Sequence, residues 1–153
     1  MNSLCEIKQP GKISSSCGCG SAGPLPLLDL AGASIRNPYS VASVTLNTEC
    51  LINPKVLIHV TALINAPIGV ITSLTFRVKK HCNDGCSQDV GGSYTASSLV
   101  NVLSGKSFEF QICDCTTCCG CCTYTLEISN ATLLQAGTTV SAQITALAVE
   151  NPC

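Results

Sequence analysis

The stretch Ile71-Thr-Ser-Leu-Thr-Phe-Arg-Val-Lys-Lys80 decides the fold. Leu74, Phe76 and Val78 alternate with Thr75, Arg77 and Lys79, so a pleated backbone sends one set to each face, whereas a helix would scatter them. The same period of two runs outward in both directions. Upstream, Val56-Leu-Ile-His-Val-Thr-Ala-Leu-Ile64 ends at Asn65-Ala-Pro67, and Val41-Ala-Ser-Val-Thr-Leu-Asn47 closes at the corner from Cys50 to Pro54. Downstream, Asn83-Asp84-Gly85 reads as a tight turn. Tyr94 to Leu103 follows, then Lys106 to Cys113 with Phe108, Phe110 and Ile112 in step. Cys122 to Ser129 aligns Tyr124, Leu126 and Ile128, and Thr138 to Val149 aligns Val140, Ala142, Ile144, Ala146 and Ala148. With Leu25 to Leu30 these make about eight strands, and no segment carries helical spacing. Short antiparallel strands joined by turns predict an all-β fold: a single antiparallel β-sandwich of jelly-roll type over residues 25–153.

Composition narrows the function. At 153 residues the chain has one domain's length, and 46% hydrophobic content argues against disorder. Charged residues make up only 11%, with net charge −1, which excludes the clustered basic stripe of a nucleic-acid binder and favours self-association. The longest apolar stretch, Val56 to Ile64, is interrupted by His59 and Thr61 and falls far short of the ~20 residues of a membrane span, so no membrane insertion is expected. The first twenty residues hold no apolar core of signal-peptide length.

Cysteine is the outlier, at 13 of 153 residues, about the density of disulfide scaffolds. The number is odd, so at least one thiol pairs between chains, stays free or binds something else. Met1 to Pro24 is rich in Gly, Ser and Pro, carries Cys5, Cys17 and Cys19, and has little to bury. It reads as a flexible N-terminal connector, and a chain lacking residues 1–22 is expected to fold. The densest cluster is Cys113-Asp-Cys115-Thr-Thr-Cys118-Cys119-Gly-Cys121-Cys122. If Phe108, Phe110 and Ile112 point inward, Cys113 and Cys115 point outward; by the same parity Cys122 points inward and Cys121 outward. The arrangement suits links both within and between subunits; Cys5, Cys17 and Cys19 of the connector and the outward Cys113, Cys115 and Cys121 are the candidates for bonds between subunits. Cys82, Cys86, Cys50 and Cys122 are the candidates for bonds within the chain, with Cys82 and Cys86 flanking the turn as a local hairpin bridge.

Metal is the competing chemistry. Overlapping CxxC spacings, with His81-Cys82-x-x-x-Cys86, offer ligands for zinc or an iron–sulfur cluster. Structural zinc sites show two clean pairs at a defined separation, and six clustered thiols exceed one ion's need, so no metal or other cofactor is expected. Catalysis is not expected either. A redox CxxC needs a helix N-terminus and a βαβ context, His59 reads as a structural histidine within an apolar strand, and no phosphate loop, HExxH or GxSxG is present.

Three stretches carry a family resemblance: Gly23-Pro-Leu-Pro-Leu; Ser43-Val-Thr-Leu-Asn-Thr-Glu-Cys50 with Asn53-Pro54-Lys-Val; and Cys113 through Thr125. They resemble small Cys-rich proteins of spore-forming clostridia. The plan of a Cys-bearing connector before a jelly roll is similar to the endospore appendage (Ena) pilins of Bacillus. That resemblance implies subunits joined by β-sheet augmentation, with connector disulfides reaching subunits further along a fibre. By position it places Cys5, Cys17 and Cys19 in the connector; the six-Cys cluster and Cys153 depart from the Bacillus pattern, so no particular pairing carries over. The expected function is a structural subunit of a self-assembling, disulfide-crosslinked extracellular fibre on a spore surface. Its partner would be itself, with a spore-coat or exosporium protein as anchor, and assembly in the mother cell would need no signal peptide. A Cys-cluster metal-binding protein and a non-fibrous spore-coat crosslinker are the alternatives.

Overall fold

Apolar side chains at every second position give each strand one face to bury, and two sheets stacked face to face satisfy all of them. A computed structural model describes residues 11–25, 38–66, 70–85, 87–100, 105–115, 120–131 and 137–151. Among the described residues there are eight strands: β1 (Ile13–Ala22), β2 (Tyr39–Asn47), β3 (Lys55–Asn65), β4 (Val70–Cys82), β5 (Ser87–Val100), β6 (Lys106–Asp114), β7 (Cys121–Ala131) and β8 (Thr139–Val149). They form two four-stranded antiparallel sheets, ordered β1-β8-β3-β6 and β2-β7-β4-β5. That order, in which successive strands cross between sheets except for the β4–β5 hairpin, is a jelly roll. No helix occurs among the described residues.

The core lies between the sheets. Ile58, Val60, Ile64, Val140, Ile144 and Ala146 from the first sheet meet Leu46, Leu74, Phe76, Val78, Leu126 and Ile128 from the second. Towards the β5–β6 side the filling is aromatic: Tyr94 stacks on Phe110 at 4.2 Å between centroids, and Phe76 lies 5.7 Å from Phe108. Stacked rings of this kind add to the gain from area burial alone. His59, read as a structural histidine within an apolar strand, stands on the outer face of its sheet, where Nε2 lies 3.7 Å from Glu109. The period of two sets this placement, because His59 has the parity opposite to the buried Ile58 and Val60.

The main departure from the sequence reading concerns the connector. Ile13–Ala22 is not an arm but a paired edge strand, in register with β8 from Ile13 opposite Val149 to Ala22 opposite Val140. The segment expected as a strand at Leu25 to Leu30 lies outside the described residues except for Leu25, which is buried and donates its N–H to the Thr138 carbonyl at 2.8 Å. A chain lacking residues 1–22 would therefore lose a strand of the sandwich.

β1 gave no apolar signal because it is held by its backbone. Cys17 and Cys19 face out, while Gly18 and Gly20 face in, towards β2. A Cβ on Gly18 would collide with the Ser43 carbonyl oxygen, and one on Gly20 with that of Val41. Glycine is thus required where two backbones of opposite sheets close the sandwich edge. Gly18→Ala should cost about 1–3 kcal/mol, the usual range for overpacking. Urea unfolding measures that cost, and faster amide exchange confined to residues 13–22 would show that the strain is relieved by releasing β1.

Candidate functional site

Among the described residues, the thiols divide into one buried bond and a surface array. Cys82, at the end of β4, is bonded to Cys122 near the start of β7; the two are register partners with Cα atoms 4.1 Å apart, and both side chains are buried. The parity that points Leu74, Phe76 and Val78 inward carries on to Cys82, just as that of Tyr124 and Leu126 fixes Cys122. The hairpin bridge expected between Cys82 and Cys86 is therefore replaced by a cross-strand bond within the β2-β7-β4-β5 sheet; Cys86 lies outside the described residues. Cys50, expected in a bond within the chain, is an exposed free thiol in the corner after β2.

The remaining described cysteines are also free: Cys17, Cys19, Cys113 and Cys115 are exposed, and Cys121 is half-buried. Cys5, Cys118, Cys119 and Cys153 lie outside the described residues. Cys17 and Cys19 sit on the outer face of β1, and Cys113 and Cys115 on the outer face at the end of β6. Because the sheet order is β1-β8-β3-β6, the two Cys-x-Cys pairs occupy opposite edges of one sheet. Cys121 belongs to the other sheet, opposite Asn47 of β2. Gly120, with φ 107°, leads into it, and its carbonyl accepts the Thr48 N–H at 3.0 Å.

A buried polar cluster orients the β6 pair. Asp114, between the two cysteines, points inward, and its Oδ2 accepts from Lys80 Nζ at 2.7 Å and from the Tyr124 hydroxyl at 2.9 Å. All three side chains are essentially inaccessible to water, and Lys80 comes from β4 while Tyr124 comes from β7, so the cluster ties the two sheets together. With Asp114 anchored inward, the pleat turns Cys113 and Cys115 out together. Their sulfurs lie 3.7 Å apart, hydrogen-bonded but without a disulfide. The hydrogen bond with Cys115, then the loss of some solvent around it, pushes the Cys113 thiol above its ordinary pKa, so it holds its proton to higher pH than a lone surface thiol.

Lys80 and Asp114 were missed in the sequence although a signal was present. Each continues the core-facing parity of its strand, Lys80 after Phe76 and Val78, and Asp114 after Phe110 and Ile112. Two opposite charges at core parity near the ends of two strands announce a buried pair. For metal, no group of three or more His, Cys, Asp or Glu side chains is gathered to hold an ion among the described residues.

The fold and site define a class: a jelly-roll sandwich with a buried disulfide and free thiols arrayed along its edges. The chain belongs to the family described as a domain of unknown function, DUF4489, whose model matches residues 13–149. No curated protein matches it. Among solved structures, it is similar to an arabinose-bound α-L-arabinofuranosidase (MgGH51), with 10% identity and a TM-score of 0.34, over 77% of this chain and 23% of that one. It is also similar to the CBM22-1 xylan-binding domain of Xyn10C from Paenibacillus barcinonensis, with 12% identity and a TM-score of 0.36, over 95% of this chain and 99% of that one. The chain thus spans under a quarter of the arabinofuranosidase's length. Likeness at this distance bears on neither activity nor ligand.

Proposed function

We propose that this protein is the structural subunit of a self-assembling, disulfide-crosslinked extracellular fibre carried on a spore surface. One observation carries the reading: Cys17, Cys19, Cys50, Cys113 and Cys115 are free and exposed, whereas the bonded pair is buried. Unpaired cysteine is among the most buried residue types in ordinary domains, so thiols held on the surface in this number are placed to bond outside the subunit. The edges support the same reading. β1 is ten residues long and carries no charged side chain, so it has none of the charges with which soluble proteins discourage strand addition. A neighbour that pairs there and repeats without closing produces a filament, and disulfides then make it resistant to denaturants.

Covalent strength is the testable property. Assembled protein should enter a non-reducing gel in hot detergent only as a ladder, and collapse to monomer with strong reductant. Changing Cys5, Cys17 and Cys19 together to Ser should abolish the ladder while leaving the monomer folded by circular dichroism. Monomer in place of a ladder, or stoichiometric zinc or iron on reduced thiols, would contradict the reading; a ladder unchanged in the triple variant would move the crosslinks to Cys113, Cys115 and Cys121.

A further inference from the structure

The two Cys-x-Cys pairs share a geometry that the sandwich itself cannot use. They sit on opposite edges of one sheet and face the same way, so within one subunit the full width of β8 and β3 separates them. Three antiparallel pairings lead from β1 to β6, so the two edge strands run in opposite directions. A second copy brought alongside without inversion therefore presents its β6 antiparallel to β1 of the first.

We propose that copies of this chain join edge to edge, β1 of one against β6 of the next, with disulfides from Cys17 to Cys115 of the next copy and from Cys19 to Cys113 of the next copy. This inference rests on the fibre reading and assigns its lateral contact. In antiparallel strands the partners move in opposite directions, so a single register that aligns one pair also aligns the other. It sets Gly18 opposite Asp114 of the next copy, both facing inward, and leaves all four thiols on the outer face. The register partners Cys82 and Cys122 show within this molecule that directly opposed strand residues bond across a ladder, at a Cα separation of 4.1 Å.

The register also sets an offset. Within one subunit the row through Cys17 crosses Thr145 and His59 and ends on Gln111. Pairing Cys17 with Cys115 moves the next copy four residues along the strand, about 13 Å at the rise of a β-strand. A repeated offset of this kind winds the stack into a helix instead of a closed ring.

Chemically, each bond costs two thiols their two protons and two electrons. A small-molecule disulfide supplies the oxidant: a thiolate of one copy attacks it, one small thiol leaves, and the facing thiol of the next copy displaces the second. The products are one protein disulfide and two small thiols.

The experiment uses full-length chain in which Cys5, Cys50, Cys86, Cys118, Cys119, Cys121 and Cys153 are Ser, leaving the core bond and the two edge pairs. Incubated with oxidised glutathione, this protein should give a covalent ladder on a non-reducing gel. Adding C17S/C19S in one preparation and C113S/C115S in another should leave each monomeric alone, while an equal mixture should give a dimer and nothing larger. Chains keeping only Cys17 with Cys115, or only Cys19 with Cys113, should still ladder, and one keeping only Cys17 with Cys113 should lose the ladder. No dimer from the mixture, or ladders from either preparation alone, overturns the contact. Filaments of the unaltered protein alongside that failure would leave the fibre reading standing with a different lateral contact; absence of filaments altogether would remove both.

Discussion

Replacing Asp114 by Ala should lower stability by about 3–5 kcal/mol, the cost of leaving a buried charge without its partner. The carboxylate takes Lys80 Nζ at 2.7 Å and the Tyr124 hydroxyl at 2.9 Å in the interior, so the substitution strips a hydrogen-bonded counter-charge from an ammonium that water barely reaches. Urea unfolding, carried out on chains whose exposed cysteines are Ser so that they stay monomeric, should show a lower midpoint at unchanged slope. Removing the whole cluster at once, with Lys80→Met, Asp114→Leu and Tyr124→Phe, should recover most of the loss, because no uncompensated charge then remains. A single Asp114→Ala variant as stable as the parent would show that the cluster holds nothing together. The same substitution frees the backbone between Cys113 and Cys115, so the two thiols should also lose their common outward aim and crosslink less efficiently.

The second large effect belongs to the core bond. Cys82 and Cys122 are separated by 40 residues, and closing a loop of that size lowers denatured-chain entropy by about 4 kcal/mol at room temperature. Changing both to Ser should therefore reduce stability by nearly that amount. The sandwich should remain folded, since the apolar core of eight strands supports it. Circular dichroism at room temperature should stay β-type while the urea midpoint falls. Complete loss of that signal would mean that the disulfide, and not the apolar core, specifies the fold.

Much of the architecture could be read from period-two alternation, because most strands have an apolar face to bury. Ile58, Val60 and Ile64, or Tyr124, Leu126 and Ile128, can be assigned to the interior from parity alone. The same parity separates Cys122, buried and bonded, from Cys113 and Cys121 beside it. β1 escaped this logic. Its inward residues include Gly18 and Gly20, whose contribution is the absence of a side chain, so composition suggested an arm where backbone packing makes a strand. The pairing of Cys82 was hidden for another reason. Cys86 is near in sequence, but Cys122 is the residue that the β4–β7 register sets directly opposite. Only the order of strands in the sheet reveals that neighbour. The placement of Cys17 and Cys19 across the sheet from Cys113 and Cys115 is a property of the same strand order.

Electron microscopy of the purified, oxidised full-length protein decides whether the subunit builds a fibre. Regular helical filaments should appear that persist after boiling in detergent and disperse when a strong reductant is added. Monomers or amorphous aggregates under the same oxidising conditions would contradict the fibre reading.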